Sequence, residues 1–461
     1  MYKGKVVSIS QQFPIKDKDR IVAIEMNEIP GVQTITSKDY SLGGKYVYFH
    51  PDIQLSKDFC DANDLCVRKD EAGKKIGGGY FSDKRRVVAQ KFGGVKSEGI
   101  IFKLDAFSYL GESAMKKLNS MKLGDEFDFI GANEVCCKYT VKQRKKSRLE
   151  NLIETVKRSQ YLYRLVPLLV WLLVLQKKYY SLVYRWKDFK AQFRTDKYNS
   201  NFQRHEDTEQ LRFYVKTIPV GAEIIITEKI HGTSARTAYL PDTSFKGRLK
   251  GLFGINNYRR YVGSRNVVLD EGQDDPFYGT GEQFRWEMAS KFEYMEPGED
   301  FSYEIAGFTK KGPMFEQSLA KLKKDYKSLK NYKDPMVFSY GCEGLGHCRE
   351  FVYKYSKLID GKMVVQDWDT TKERCFELGL KTVPELDRFI YDGDVDKLLA
   401  RINKYLANDD IVPSYLDDRH ITEGICLRIN GEFWSTYKHK SFLFAVLEGF
   451  RQEEATTDDN N

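Results

Sequence analysis

Up to about residue 137, apolar and polar positions alternate in short runs: KVVSI, RIVAIEM, KYVYFH, RRVVAQKF and EGIIFKL. A period of two marks half-buried strands. Gly43-Gly44, Gly77-Gly78-Gly79 and Gly93-Gly94 supply turns between them. Several short strands joined by glycine turns predict a small barrel or sandwich over residues 1–137. The pattern changes over 138–206, which is helix-biased and reads as a linker or insertion. Beyond it, DTEQLRFYVKTI predicts a helix, with Asp207 as its N-cap and Gln210 three residues on. EIIITEK, FSYEIAGF and REFVYKYS predict strands, and GEQFRWEMASKFEY and VDKLLARINKYL predict helices. EGICLRI and EFWSTYKHK read as two closing strands. The mixture over 207–450 is α+β in texture, and the acidic, polar 451–461 is expected to be a disordered tail.

Composition narrows the class. The 461 residues are 41% hydrophobic and 14% aromatic, which excludes wholesale disorder. The longest apolar run, LVPLLVWLLVL at Leu165–Leu175, is shorter than the roughly 18–20 residues a bilayer-spanning helix needs, so no membrane span is expected. Packing is its expected role, with a membrane-surface patch as the alternative. The start, MYKGKVVSIS, lacks the apolar core of a signal peptide, and eight scattered cysteines form no disulfide framework. A reducing, cytoplasmic compartment is expected. Cys342 and Cys348 have five residues between them and no second pair follows, so a zinc site is not expected there.

Charge is uneven. The chain carries a net charge of +8, but Lys138 to Arg194 holds 15 Lys or Arg against three acids, so the remainder is slightly acidic. Tyr161, Tyr163, Tyr179, Tyr180, Tyr184 and Trp186 are interleaved with this block. Such a segment can attract a phosphate backbone and offer rings for stacking, or serve as a solvated connector.

The strongest chemical signal is Thr227-Glu228-Lys229-Ile230-His231-Gly232-Thr233-Ser234, directly after the apolar Ile224–Ile226. A lysine leaving a buried strand puts an amine at a pocket edge, and a glycine three residues later lets backbone approach a phosphate. To attack phosphorus the amine must be neutral, so its pKa must be lowered by burial or by neighbouring cations. Lys438 and Lys440 alternate on one strand face and are candidates for those cations. Glu304 and Glu423 are candidates to bind a ribose hydroxyl or a divalent ion.

In chain order stand EKIHGTS, SRN, YEIAG, FVYKY, EGICLR and YKHKS. This series resembles the covalent nucleotidyltransferase superfamily, and most of all the ATP-dependent RNA ligases of the nick-sealing kind, whose first motif reads EKxHGT. The resemblance covers about Thr208 to Phe444. It implies an α+β fold, with a ligase-type nucleotidyltransferase domain of antiparallel sheets and helices preceded by a small OB-like β-barrel that holds nucleic acid. DNA ligases and capping enzymes carry an OB domain after the paired-lysine motif. Here 21 residues follow Lys440, and GKYVYFHPD with GGYFSDKRRVVAQKFGGVKSEG looks like the N-terminal module of one RNA ligase branch.

Residue by residue, the resemblance implies that Lys229 is the nucleophile that takes AMP, flanked by Glu228 and Gly232 in the first motif. Arg265 matches the phosphate- or ribose-contacting motif. Glu304 matches the ribose and metal acid, and Glu423 the metal-binding acid. Phe351 or Tyr353 matches the adenine-stacking aromatic. Lys438 and Lys440 match the lysines that hold the α-phosphate. His231 fills a position implicated in strand joining in some relatives. Two intervals, Lys229 to Arg265 and Glu304 to FVYKY, are longer than the family leads one to expect. The implied cofactors are ATP and Mg2+ or Mn2+. The implied partner is RNA with nicked or broken ends, with RNA–DNA hybrid as a further one, and a monomer is expected. The alternatives are another covalent nucleotidyltransferase (a DNA ligase or GTP-using capping enzyme) and a non-catalytic nucleic-acid-binding scaffold.

Overall fold

The computed structural model describes residues 2–139 and 199–454, with breaks at 17, 70–74, 93, 132, 203, 206–207, 255–256, 276–277, 321, 325, 407–410 and 432–434. The readings of the basic segment and of the apolar run Leu165–Leu175 therefore lie outside the described residues.

The N-terminal module is built on one sheet, in the order Ile100–Lys103, Lys45–Phe49, Gly4–Ile15, Lys18–Met26, Ile29–Ser37, with Glu126–Phe127 also on the first strand. The strand Ile29–Ser37 was not visible in the alternation, because Pro30 and Gly31 interrupt it. It curls back towards the far edge of the sheet. There the Thr34 hydroxyl donates to the Gly99 carbonyl at 2.9 Å, and the Ile35 N–H donates to Ser97 Oγ at 3.1 Å. This closure gives the module an OB-like form. Phe49, Phe59, Phe102 and Phe107 pack together beneath it.

The second domain is two antiparallel sheets. One runs Glu209–Gln210, Ser435–Lys440, Gly424–Asn430, Glu223–Glu228, Glu385–Ile390, with only its first pair parallel. The other runs Val268–Leu269, Tyr258–Ser264, Thr233–Pro241, Glu299–Gly307, Cys348–Ile359, Lys362–Val365. Helices flank them with ordinary caps: Asp367 accepts from the Thr370 N–H ahead of Trp368–Glu377, and Asp394 caps Val395–Tyr405. The helix expected from Asp207 starts later, at Leu211, because Glu209 and Gln210 pair with Tyr437 and Lys438 as a strand. Both long intervals have structural content. A helix, Phe245–Leu252, sits in the connection after Thr233–Pro241. A short hairpin, Glu316–Gln317 with Met336–Val337, brings Leu319, Leu329 and Phe338 into the core. The final helix, Phe442–Glu454, continues past the point where the tail was expected to begin, so residues 451–454 are helical.

Two seams join the module to this domain. Arg212 pairs with Glu98 at 2.5 Å and Lys216 donates to the Asn27 carbonyl at 2.6 Å. At the other seam, Ala89 enters the core that holds Phe442, Leu443 and Leu447. All eight cysteines are free thiols, and no helix among the described residues is long and apolar enough to cross a membrane.

Candidate active site

The strand Glu223–Glu228 belongs to one sheet and Thr233–Pro241 to the other, so residues 229–232 form the crossing between them. The Glu228 and Lys229 N–H groups donate to the Pro384 and Gly424 carbonyls at 3.0 and 2.9 Å, which fixes where the crossing begins. Its end is fixed by Gly232, where a Cβ would lie 2.6 Å from the Ile305 carbonyl oxygen. Only glycine fits so close to the neighbouring strand. Gly424, at φ +150°, plays the same part beside the His439 carbonyl.

One carboxylate gathers the charges. Glu423, with its side chain 3% exposed, lies 2.8 Å from Lys229 Nζ, 3.4 Å from Lys440 Nζ and 3.5 Å from His231 Nδ1. Burial pushes its pKa up, but Lys229, Lys440 and His231 outweigh that and hold it well below the usual carboxylate range. For Lys229, burial pulls the pKa down, yet Glu423 and Glu304 reverse the direction and the amine titrates above a free lysine. The sequence-based expectation of a lowered pKa does not hold here: with no ligand present, Lys229 rests as an ammonium in an ion pair. The two downstream lysines also differ. Burial, then Lys440 and Lys229, lower Lys438 to about 8. Lys440 is raised against its burial by Glu448 and Glu423.

The other carboxylates behave oppositely. Burial lifts Glu304 to about 7, with Lys229 the main opposing charge, and its buried Oε2 has no hydrogen-bond partner among the described residues. Glu228 is likewise lifted to about 7 by burial. One of its oxygens accepts from the Tyr415 N–H at 3.2 Å while the other is unpartnered among the described residues. Arg265 follows the strand Tyr258–Ser264, and its charge reaches Glu304, Tyr353 and Lys438. Of the two aromatic candidates, Phe351 is 2% exposed and packed 5.9 Å from the Tyr340 ring, so it is closed into the core. Tyr353 is half-buried, with its hydroxyl 3.4 Å from Ser234 Oγ and its ring beside His205. His231 stands in a cage of Phe315, Phe338 and Phe444 with ring centroids 4.5–4.9 Å away, and its N–H donates to the Tyr340 hydroxyl at 2.7 Å.

Four further residues shape the site. Glu448 grips Lys440 from the final helix at 2.8 and 2.7 Å. Arg285 donates to Thr233 Oγ1 at 2.6 Å and to the Ser234 carbonyl at 3.1 Å, and is paired with Asp275 at 2.6 Å. Arg428 spans the two sheets, donating to the Tyr353 carbonyl at 2.6 Å and Thr227 Oγ1 at 3.3 Å. Tyr340 holds a left-handed φ of +46°, bracketed by Asp417, which accepts from Ser339 Oγ at 2.6 Å and the Gly341 N–H at 2.8 Å. In the sequence, Arg428 was visible as a charge inside an apolar strand. Glu448, Arg285 and Asp417 had no such mark.

Two antiparallel sheets crossed by a lysine loop, behind an OB-like module, define a ligase-type nucleotidyltransferase fold. Residues 222–444 match the model of the RNA ligase family. The fold is similar along nearly its whole length to solved structures of Naegleria gruberi RNA ligase. For a lysine-to-alanine variant with ATP and Mn, the TM-score is 0.54 at 14% identity, covering 97% of this chain and 99% of that one. For the same ligase with PPi it is 0.53 at 15% identity, covering 98% and 99%. For a glutamate-to-alanine variant with AMP and Mn it is 0.54 at 13% identity, covering 98% and 100%. No curated protein sequence matches the chain.

Proposed function

We propose that this chain is an ATP-dependent RNA ligase that joins 3′-OH and 5′-phosphate ends through a lysyl-AMP intermediate on Lys229. The observation that carries the reading is the meeting of Lys229 and Lys440 on one buried carboxylate, Glu423. A nucleophilic amine and a cation for the phosphate it attacks stand within one cluster.

The chemistry follows in three displacements. The Lys229 amine forms an N–P bond to the α-phosphate of ATP and the bond to pyrophosphate breaks. The AMP then passes to a 5′-phosphate end, freeing Lys229. A 3′-hydroxyl attacks that activated end and AMP leaves. Lys440 and Lys438 offset the charge on the reacting phosphate at each step. Arg265 and Glu304 face the nucleotide sugar, and Tyr353 offers the aromatic surface for adenine. His231, pinned by its cage and its backbone bond to Tyr340, serves the joining step in this reading.

The resting ammonium must lose its proton before it can attack, and the donor set fits a divalent cation for this purpose. Glu304 has an unpartnered buried oxygen. No group of three or more His, Cys, Asp or Glu that could hold a metal exists among the described residues. Mg2+ or Mn2+ would therefore be held by Glu304 and Glu423 with phosphate oxygens and water completing its shell. When bound, the cation would compete with the ammonium for Glu423 and favour the neutral amine.

The test is label transfer from α-labelled ATP to the protein, then sealing of defined nicks. Wild type is expected to take label from ATP and not from GTP, and to seal RNA ends in preference to DNA. Lys229→Ala is expected to take none while still binding RNA. Undiminished labelling of Lys229→Ala would overturn the assignment.

A further inference from the structure

Lys440 has a second partner to which this chemistry gives no role. Both oxygens of Glu448 lie against its Nζ, at 2.8 and 2.7 Å, whereas Glu423 Oε1 is 3.4 Å away and Glu423 also serves Lys229 and His231. Glu448 sits on the final helix, Phe442–Glu454, and the N-terminal module holds that helix. Arg86, 7% exposed, donates from Nη1 to the Gly449 carbonyl at 3.3 Å, one residue past Glu448. Arg86 is itself fixed by its pair with Asp52 and by the Tyr139 ring 5.0 Å away. Lys96 of the module lies 5.7 Å from the Phe442 ring at the start of the helix.

We propose that Glu448 is a positioning residue for Lys440, held in register by the N-terminal module through Arg86. The inference rests on the lysyl-AMP reading. A lysine is a point charge on a flexible four-carbon stem. Gripped by two oxygens of a helix-borne carboxylate, its charge waits where the phosphate arrives, and no reorganisation is left for the reaction itself. The other groups facing Lys440 are the acids Glu423 and Asp52, the cations Lys229 and Lys438, and the Tyr2 phenol. Once Glu423 turns to other ligands, Glu448 is the carboxylate in direct contact that remains. The seating of the module thereby bears on nucleotide chemistry as well as on RNA binding.

The experiment uses the full chain and measures the rate of adduct formation from α-labelled ATP against ATP concentration and pH. Glu448→Gln is expected to lower the maximal rate about tenfold or more, with the KM for ATP changed less than about threefold. Glu448→Asp should restore the rate to within about threefold of wild type. Arg86→Ala should slow the same step with Lys229 still the labelled residue. Should Glu448→Gln fail to fold, Glu448→Asp and Arg86→Ala carry the test. A Glu448→Gln rate within twofold of wild type at every pH would overturn the proposal while leaving the ligase reading intact, as would a loss in Glu448→Asp or Arg86→Ala that only follows the folded fraction. A wild-type chain that takes no label would overturn both.

Discussion

Glu423, buried, and Glu304, half-buried, are two carboxylates near Lys229, one at each sheet, and they are driven in opposite directions. Glu423 is surrounded by cations and stays ionised far down the pH scale, while Glu304 keeps an unpartnered oxygen and is lifted to about 7 by burial. The difference divides the pocket by readiness. The side with Lys229 and Lys440 is electrostatically complete in the absence of ligand. The side with Glu304 is not, and it gains from whatever brings a cation or a hydroxyl donor.

The strongest way to break this comparison is to neutralise each acid in turn. Glu423→Gln leaves two lysines facing each other without their shared counter-ion. Stability should fall by about 3 kcal/mol, and adduct formation by about a hundredfold or more. Denaturant melts and label transfer check the two effects. If Glu423→Gln were as stable as wild type, the ion cluster would not be the organiser it is here taken to be. Glu304→Gln, the same change on the other side, should have the opposite sign and raise the stability of the ligand-free protein by about 1–2 kcal/mol near pH 8. It should nonetheless slow adduct formation, because a protein group that faces the nucleotide is lost.

The pH dependence sharpens the contrast. An acid with a raised folded pKa stabilises fully below its unfolded value and loses that contribution as pH rises through the folded one. Glu304 and Glu228 should therefore make the ligand-free protein less stable between pH 4.5 and about 7. Glu423, with its pKa depressed, acts the other way and loses its contribution only as pH falls well below 4.5. Thermal melts across this range should show the first slope weakened in Glu304→Gln. The smallest effect is that of metal alone: Mn2+ without ATP should raise the melting midpoint of wild type by about 2 °C, and less in Glu304→Gln.

The sequence made some of this visible and not the rest, for physical reasons. The strands around KVVSI and KYVYFH were legible as short apolar runs between glycine turns, although both of their faces are buried, and the crossing at Lys229 is marked by its glycine. The strand Glu385–Ile390, exposed or half-buried throughout and held by pairing with Glu223–Glu228, has no such signal, nor has the helix Trp368–Glu377, which buries Trp368, Thr371 and Cys375. Lys229, Glu304, Glu423, Lys438 and Lys440 stood in a recognisable order, and the structure brings their charges within reach of one another. Their charge states were not legible. A one-dimensional reading can count the lysines near a lysine, but it cannot see that Glu423 sits among them and reverses the direction of the shift. Glu448 escaped for a related reason: it acts across a turn and along a helix whose register depends on a module some 350 residues earlier in the chain. Phe351 and Tyr353 looked equivalent because they are two apart on one strand. The core claims the first and leaves the second at the pocket.

At Gly232 the chain passes one sheet so closely that a single added methyl group would press on the Ile305 carbonyl. That contact works as a ruler. Because the loop is tied at its other end by the Lys229 and Glu228 backbone bonds, the spacing from the Lys229 backbone to Glu304 is set by main-chain atoms. Alanine at 232 would thus lengthen the reach of the nucleophile before it unfolded anything, and the damage would appear as an enzyme correctly assembled but wrongly gauged.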